Sequence, residues 1–133
     1  MRTLLLLFAA CGDPQSAEDV ADRFVDDYFV RADQQGALKW STGRARRVLK
    51  REQELVRSVR EGGYGAQEAH PPTYFTRKSV RKVGASRAQL RYDVEIATGA
   101  DGIHRSVDVE VDRTPQGWRV SSFHIRDLHK RPD

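Results

Sequence analysis

Between Thr73 and Arg126 the chain runs through four segments in which apolar and polar residues alternate, separated by turn-forming residues. This alternation restricts the fold more than any other feature. Leu90, Tyr92, Val94 and Ile96 alternate with Arg91, Asp93 and Glu95, and Val107, Val109 and Val111 alternate with Asp108, Glu110 and Asp112. The pattern predicts strands over Tyr74 to Val83, Arg87 to Ala97, His104 to Asp112 and Trp118 to Arg126. Gly84-Ala85-Ser86, the Asp101-Gly102 pair and Pro115-Gln116-Gly117 supply the tight turns between them. Connections this short make an antiparallel meander with one wet and one dry face, and the dry face needs a second layer to cover it.

The residues before Thr73 supply that layer. Ser16 with Asp19 reads as a helix cap, followed by Val20, Phe24 and Tyr28 on one side and Asp19, Asp22, Asp26 and Asp33 on the other. Gln34-Gln35-Gly36 interrupts the pattern, and Ala37 to Ser41 is expected as a short second helix. A third begins after Gly43, where Ala45, Val48, Leu49, Glu52, Leu55, Val56 and Val59 form a stripe expected to face the sheet. Gly62-Gly63 ends it, and the stretch to Pro72 reads as an irregular connection. With 133 residues, the chain has room for one domain and one core.

Requiring neighbouring strands to share a dry face sets an expected register. Tyr92 falls opposite Val109 and Val94 opposite Val107, which puts Arg91 opposite Glu110 and Asp93 opposite Asp108. Continuing to the last strand, Val109 meets Val120 and Glu110 meets Arg119. The same register gathers Arg105, His124 and Ser122 at one end of the dry face that carries Tyr92 and Trp118, a candidate small-molecule pocket. The alternative is that Arg105 and His124 mark where the sheet leaves its cover.

The first residues carry a different signal. A positive start, the apolar run Leu4 to Phe8 and small residues directly before the single cysteine, Cys11, look like a bacterial lipoprotein signal. Residues 1–10 are then a signal peptide, Cys11 the site of lipid attachment, residues 11–15 a tether, and residues 16–133 the domain. Phe8 stands where such signals usually have Leu, and a frayed tail or a buried terminal segment is the alternative. One cysteine excludes an internal disulfide and a cysteine-cluster metal site.

Two long helices, a short one between them and a final meander ending in Gly117-Trp118-Arg119-Val120 resemble the NTF2-like, or cystatin-like, α+β superfamily, its small bacterial lipoproteins above all. The Gln35-Gly36-Ala37 break and the Thr42-Gly43-Arg44-Ala45 turn belong to the same resemblance. It implies helices packed on a curved four-stranded antiparallel sheet, forming a cone that holds a ligand, an acid–His pair or nothing. Enzymatic members place an acid and a His or Tyr inside. Here His124 with Tyr28 or Tyr92 are the interior candidates, while the acids fall on wet faces.

No Gly-rich phosphate loop, nucleophile elbow or zinc-type His spacing occurs, and no cofactor or metal is expected. Residues 39–60 hold eight basic against two acidic residues, but no nucleic-acid motif accompanies them. Three readings follow. The first is a non-enzymatic, lipid-anchored domain binding a protein or small molecule at the cell envelope. The second is a small cone-fold enzyme using His124 with Tyr92 or Arg105. The third is an anionic-surface binder using the helix Ala45 to Glu61 through Arg46, Arg47, Lys50 and Arg57. Oligomeric state is open, a dimer through the sheet included.

Overall fold

Ser16 accepts a hydrogen bond from the Asp19 amide through its hydroxyl, and α1 (Ala17–Val25) starts there as the capping residues demand. The computed structural model describes residues 16–61, 71–100 and 102–127. The signal-like segment, Cys11, the tether, Gly62-Gly63 and most of the irregular connection lie outside these.

After Val25 the helix widens into a π-helical turn, Asp26–Val30, closed by the Arg31 amide on the Asp26 carbonyl at 3.0 Å. A widened turn carries one extra residue, so Tyr28 and Phe29 both remain half-buried rather than one facing water. Ala32 then takes a left-handed backbone (φ 49°), and Asp33 caps α2 (Gln34–Lys39) by accepting from the Gly36 amide. The short helix thus begins three residues earlier than the Gln-Gln-Gly break suggests. Residues 40–42 bond alongside Val120, the Thr42 amide donating to its carbonyl at 2.8 Å and its amide donating to the Trp40 carbonyl at 2.7 Å. The third helix, α3 (Gly43–Glu61), follows.

β1 (Thr73–Val83), β2 (Arg87–Ile96), β3 (Ile103–Thr114) and β4 (Gly117–Asp127) pair antiparallel in chain order, as the meander requires. N-terminal helices on one curved four-stranded sheet are the α+β architecture expected. Val20, Ala21, Phe24 and Val25 of α1 meet Leu90, Tyr92, Val94, Val107, Val109 and Val111 in one core. Phe24 stacks on Tyr28 with centroids 5.9 Å apart, and both lie 5.2 Å from Phe123. Each large side chain enclosed this way contributes about 1.5–3 kcal/mol.

The register differs from expectation in two places. Tyr92 faces Val107 and Arg91 faces Asp108, two residues from the expected pairing, which preserves the faces but changes every partner. Asp93 therefore lies opposite Ser106, and the anticipated Asp93–Asp108 repulsion does not arise. Glu110 lies opposite Gln89 and Ser122 rather than between two arginines. In β4, a bulge at Ser121 breaks the alternation: Val111 faces Val120, but Val109 faces Phe123 and Asp108 faces His124. Phe123 and Ile125 turn to the core, while Ser122 and His124 turn to the outer face.

The stripe of α3 is only half covered. Ala45 and Leu49 are buried, and Glu52 is turned inward, but Val48, Leu55, Val56 and Val59 are 37%, 61%, 40% and 52% exposed. The expectation that this whole stripe faces the sheet is corrected accordingly. Among the sheet strands only the edge strand β4 makes substantial contact with α3, so its later turns run past the sheet instead of over it.

Candidate functional site

The six residues expected to share a pocket are divided by the sheet. Tyr28, Tyr92, Arg105 and Trp118 lie on the helix-covered side, whereas the bulge puts Ser122 and His124 on the other. Two arrangements result, one sealed and one open.

On the covered side, two tyrosine–carboxylate pairs hold helices to sheet and to one another. The Tyr28 hydroxyl donates to Glu52 of α3, at 3.0 Å from Oε1 and 2.9 Å from Oε2, and Gln34 Nε2 donates to the same carboxylate at 3.2 Å. Burial pushes the Tyr28 hydroxyl well above the usual tyrosine range, the Glu52 charge adds to the rise, and Arg105 opposes it. The Tyr92 hydroxyl donates to Asp22 Oδ1 at 2.6 Å, while Arg77 holds Asp22 Oδ2 at 2.9 Å. Tyr92 is also pushed up, first by burial and then by its bond to Asp22. Asp22, half-buried at the edge of the acidic stripe, is thus bonded on both oxygens. Tyr92 is fully buried, while Asp22 reaches the surface beside Arg77. A smaller cleft of about 390 Å³ lies beside the other pair, lined by Ala32, Gln34, Gln35, Gln53, Val56 and Arg57.

The open arrangement is a groove of about 700 Å³ spanning all four strands. Its floor is two successive cross-strand rows: Ser79, Arg91, Asp108 and His124, then Arg81, Gln89, Glu110 and Ser122. Arg126 adjoins the first row, and Arg44, Ala45 and Val48 of α3 close the β4 end. Four guanidinium groups therefore stand against two carboxylates. Both carboxylates are engaged. Asp108 accepts from Arg91 Nε and Arg126 Nη2, each at 2.9 Å, and Glu110 lies 3.4 Å from Arg87 Nε and accepts from Gln89. Arg44 and Arg81, at opposite ends, make no ion pair among the described residues. Among the described residues no group of three or more His, Cys, Asp or Glu could hold a metal ion.

No family model and no curated protein matches this sequence. Solved structures do match. A ketosteroid isomerase-like protein from Erwinia carotovora atroseptica SCRI1043 superposes with a TM-score of 0.60 at 18% identity, over 86% of this chain and 95% of that one. The fold is NTF2-like. An NTF-2 like protein of unknown function from Shewanella oneidensis MR-1 superposes with a TM-score of 0.58 at 11% identity, over 83% of this chain and 95% of that one. At such identities the likeness concerns the NTF2-like backbone and leaves the site residues to be argued from this chain alone. Glu52, Gln34, Asp22, Arg44 and Arg81 carry much of both arrangements and were not singled out as site residues from the sequence. Only Glu52 advertised itself, as a carboxylate set inside an apolar stripe, where burial demands a hydrogen-bonding partner.

Proposed function

We propose that the chain is a lipid-anchored, extracytoplasmic NTF2-like binding domain of a bacterial envelope, which holds an elongated organic anion in the groove across its sheet. The observation that carries the ligand class is the pair Arg44 and Arg81, which make no ion pair among the described residues and stand at the two ends of a groove whose own carboxylates are already matched. Three strand spacings separate β1 from β4, about 14 Å. An acid group at each end of a ligand of that length would complete the charge pattern, and guanidinium groups hold carboxylates in two-pronged bonds. Support for the anchor is the sequence Phe8-Ala9-Ala10-Cys11 behind its apolar run.

Two measurements test the reading. Mass spectrometry of the natively expressed protein should find diacylated Cys11 as the first residue. Calorimetric titration with aliphatic dicarboxylates of increasing length should show binding that the matching diamides lack and that Arg81→Gln weakens about tenfold, a free-energy change of about 1.4 kcal/mol. Equal binding of acids and diamides, or none by either, removes the ligand class. The competing enzyme reading pairs His124, which lines the groove, with Tyr92 or Arg105, which stand on the other side of the sheet.

A further inference from the structure

We propose that the uncovered ridge of α3 is a contact surface for an anionic lipid bilayer. Val48, Leu55 and Val59 stand on one side of the helix, spread over about 16 Å of its axis. Val48 belongs to the groove wall, whereas Leu55 and Val59 lie beyond the sheet and are the most exposed residues of the stripe. Arg44 and Arg51 sit one turn before Val48 and Leu55 on the same side, so two guanidinium groups border the ridge. Arg46, Lys50 and Arg57 occupy the opposite flank, and Arg47 faces away from both.

Charge selects the occupant. The described side chains of α3 are Arg44, Arg46, Arg47, Lys50, Arg51 and Arg57 against Glu52 and Glu54, six against two, an excess of four. The formal charge of the whole chain is +4, so the helix carries a charge equal to the entire net excess. One of these two acids with described side chains, Glu52, is turned inward onto Tyr28 and Gln34. A second copy meeting this ridge face to face would bring two such excesses together in a poorly solvated contact. An anionic bilayer offers negative headgroups and an apolar layer at the depths a basic amphipathic helix needs, with about 1 kcal/mol for each basic residue near the surface. The contact stands independently of the lipid on Cys11, and it shares only Arg44 and Val48 with the anion groove.

The test uses the full chain carrying Cys11→Ser, which cannot be acylated, sedimented with vesicles of phosphatidylglycerol and phosphatidylcholine or of phosphatidylcholine alone. Binding should favour the anionic vesicles and fall steeply with salt. Leu55→Asp with Val59→Asp should weaken it at least tenfold while leaving the circular dichroism and the unfolding midpoint in place, since both side chains are exposed. Attachment through the apolar run at Leu4 to Phe8 would survive that double change. Arg51→Gln should weaken binding about fivefold, the equivalent of about 1 kcal/mol, and Arg46→Gln, equal in net charge but on the far flank, should not. No binding by the parent chain, equal binding to both vesicle types, persistence in the Asp variant, or equal losses in the two Arg variants overturns the proposal.

Discussion

The Tyr92 hydroxyl donates to Asp22 Oδ1 at 2.6 Å, and this bond ties the middle of the sheet to the first helix. Because Asp22 also receives Arg77, it retains one charged partner when Tyr92 is altered. Tyr92→Phe should therefore remove one bond to a charged acceptor without stranding the carboxylate, a loss of about 1.5 kcal/mol. Arg77→Gln touches a half-exposed pair and should cost under about 1 kcal/mol. Urea unfolding of the two variants checks the order, and an Arg77→Gln loss exceeding that of Tyr92→Phe contradicts the account.

Alkaline pH should loosen the protein through buried Tyr92 and half-buried Tyr28. Both are held protonated in the folded chain, by burial and by carboxylates, with hydroxyls raised above the ordinary value of 10.0. The unfolded chain releases those protons near pH 10 and the folded chain does not. Stability is thus fully present below that pH and falls as pH rises above it, by up to about 1.4 kcal/mol per pH unit for each tyrosine. Glu52→Gln removes the negative charge beside Tyr28, so part of the tyrosinate absorbance should appear at lower pH than in the parent. An unchanged titration would show that Glu52 exerts no pull on Tyr28.

Gly36 is required by its neighbours rather than by its backbone angles. A Cβ there would stand 2.5 Å from Asp33 Oδ2 and 2.9 Å from Asp27 Oδ2. Asp33 caps α2 at this residue, and Asp27 accepts from Trp40 Nε1 at 3.2 Å. Gly36→Ala should disturb the cap and the Asp27–Trp40 bond together, costing about 1–2 kcal/mol despite alanine's better helix propensity. A gain in thermal midpoint would mean that both carboxylates move aside freely.

Local chemistry was legible where it acts within a few residues. The caps at Ser16, the turn residues between strands and the alternation in β2 and β3 locate the elements to within a residue or two. Facing was harder. Alternation specifies which residues share a face, but a shift of two residues keeps that assignment, so Tyr92 opposite Val107 and Tyr92 opposite Val109 read alike. The apolar stripe of α3 reports that a side of the helix is apolar, not that the sheet is long enough to cover it. Arg44 and Arg81 become noticeable only once Arg91 and Arg126 are seen to share Asp108, a relation among strands far apart in sequence.

The bulge at Ser121 decides what β4 shows to each side, and it can be tested directly. Ser121 donates to the Glu110 carbonyl at 3.2 Å and is the extra residue between Val120, opposite Val111, and Ser122, opposite Glu110. Deleting it would leave Val120 and Ser122 consecutive, opposite Val111 and Glu110, so that simple alternation keeps Phe123 and Ile125 on the core side and Ser122 and His124 on the outer one. Cooperative unfolding should therefore survive the deletion, at a cost of about 1–2 kcal/mol from the lost Ser121 bond and the altered bend of β4. Ser121→Ala keeps the residue count and should cost only about 1 kcal/mol. The sharper comparison is Phe123→Ala against His124→Ala. With the bulge in place the first should cost about 2–4 kcal/mol and the second under about 0.5 kcal/mol. The regular strand anticipated from sequence demands the reverse order, so a single pair of denaturation curves distinguishes the two registers.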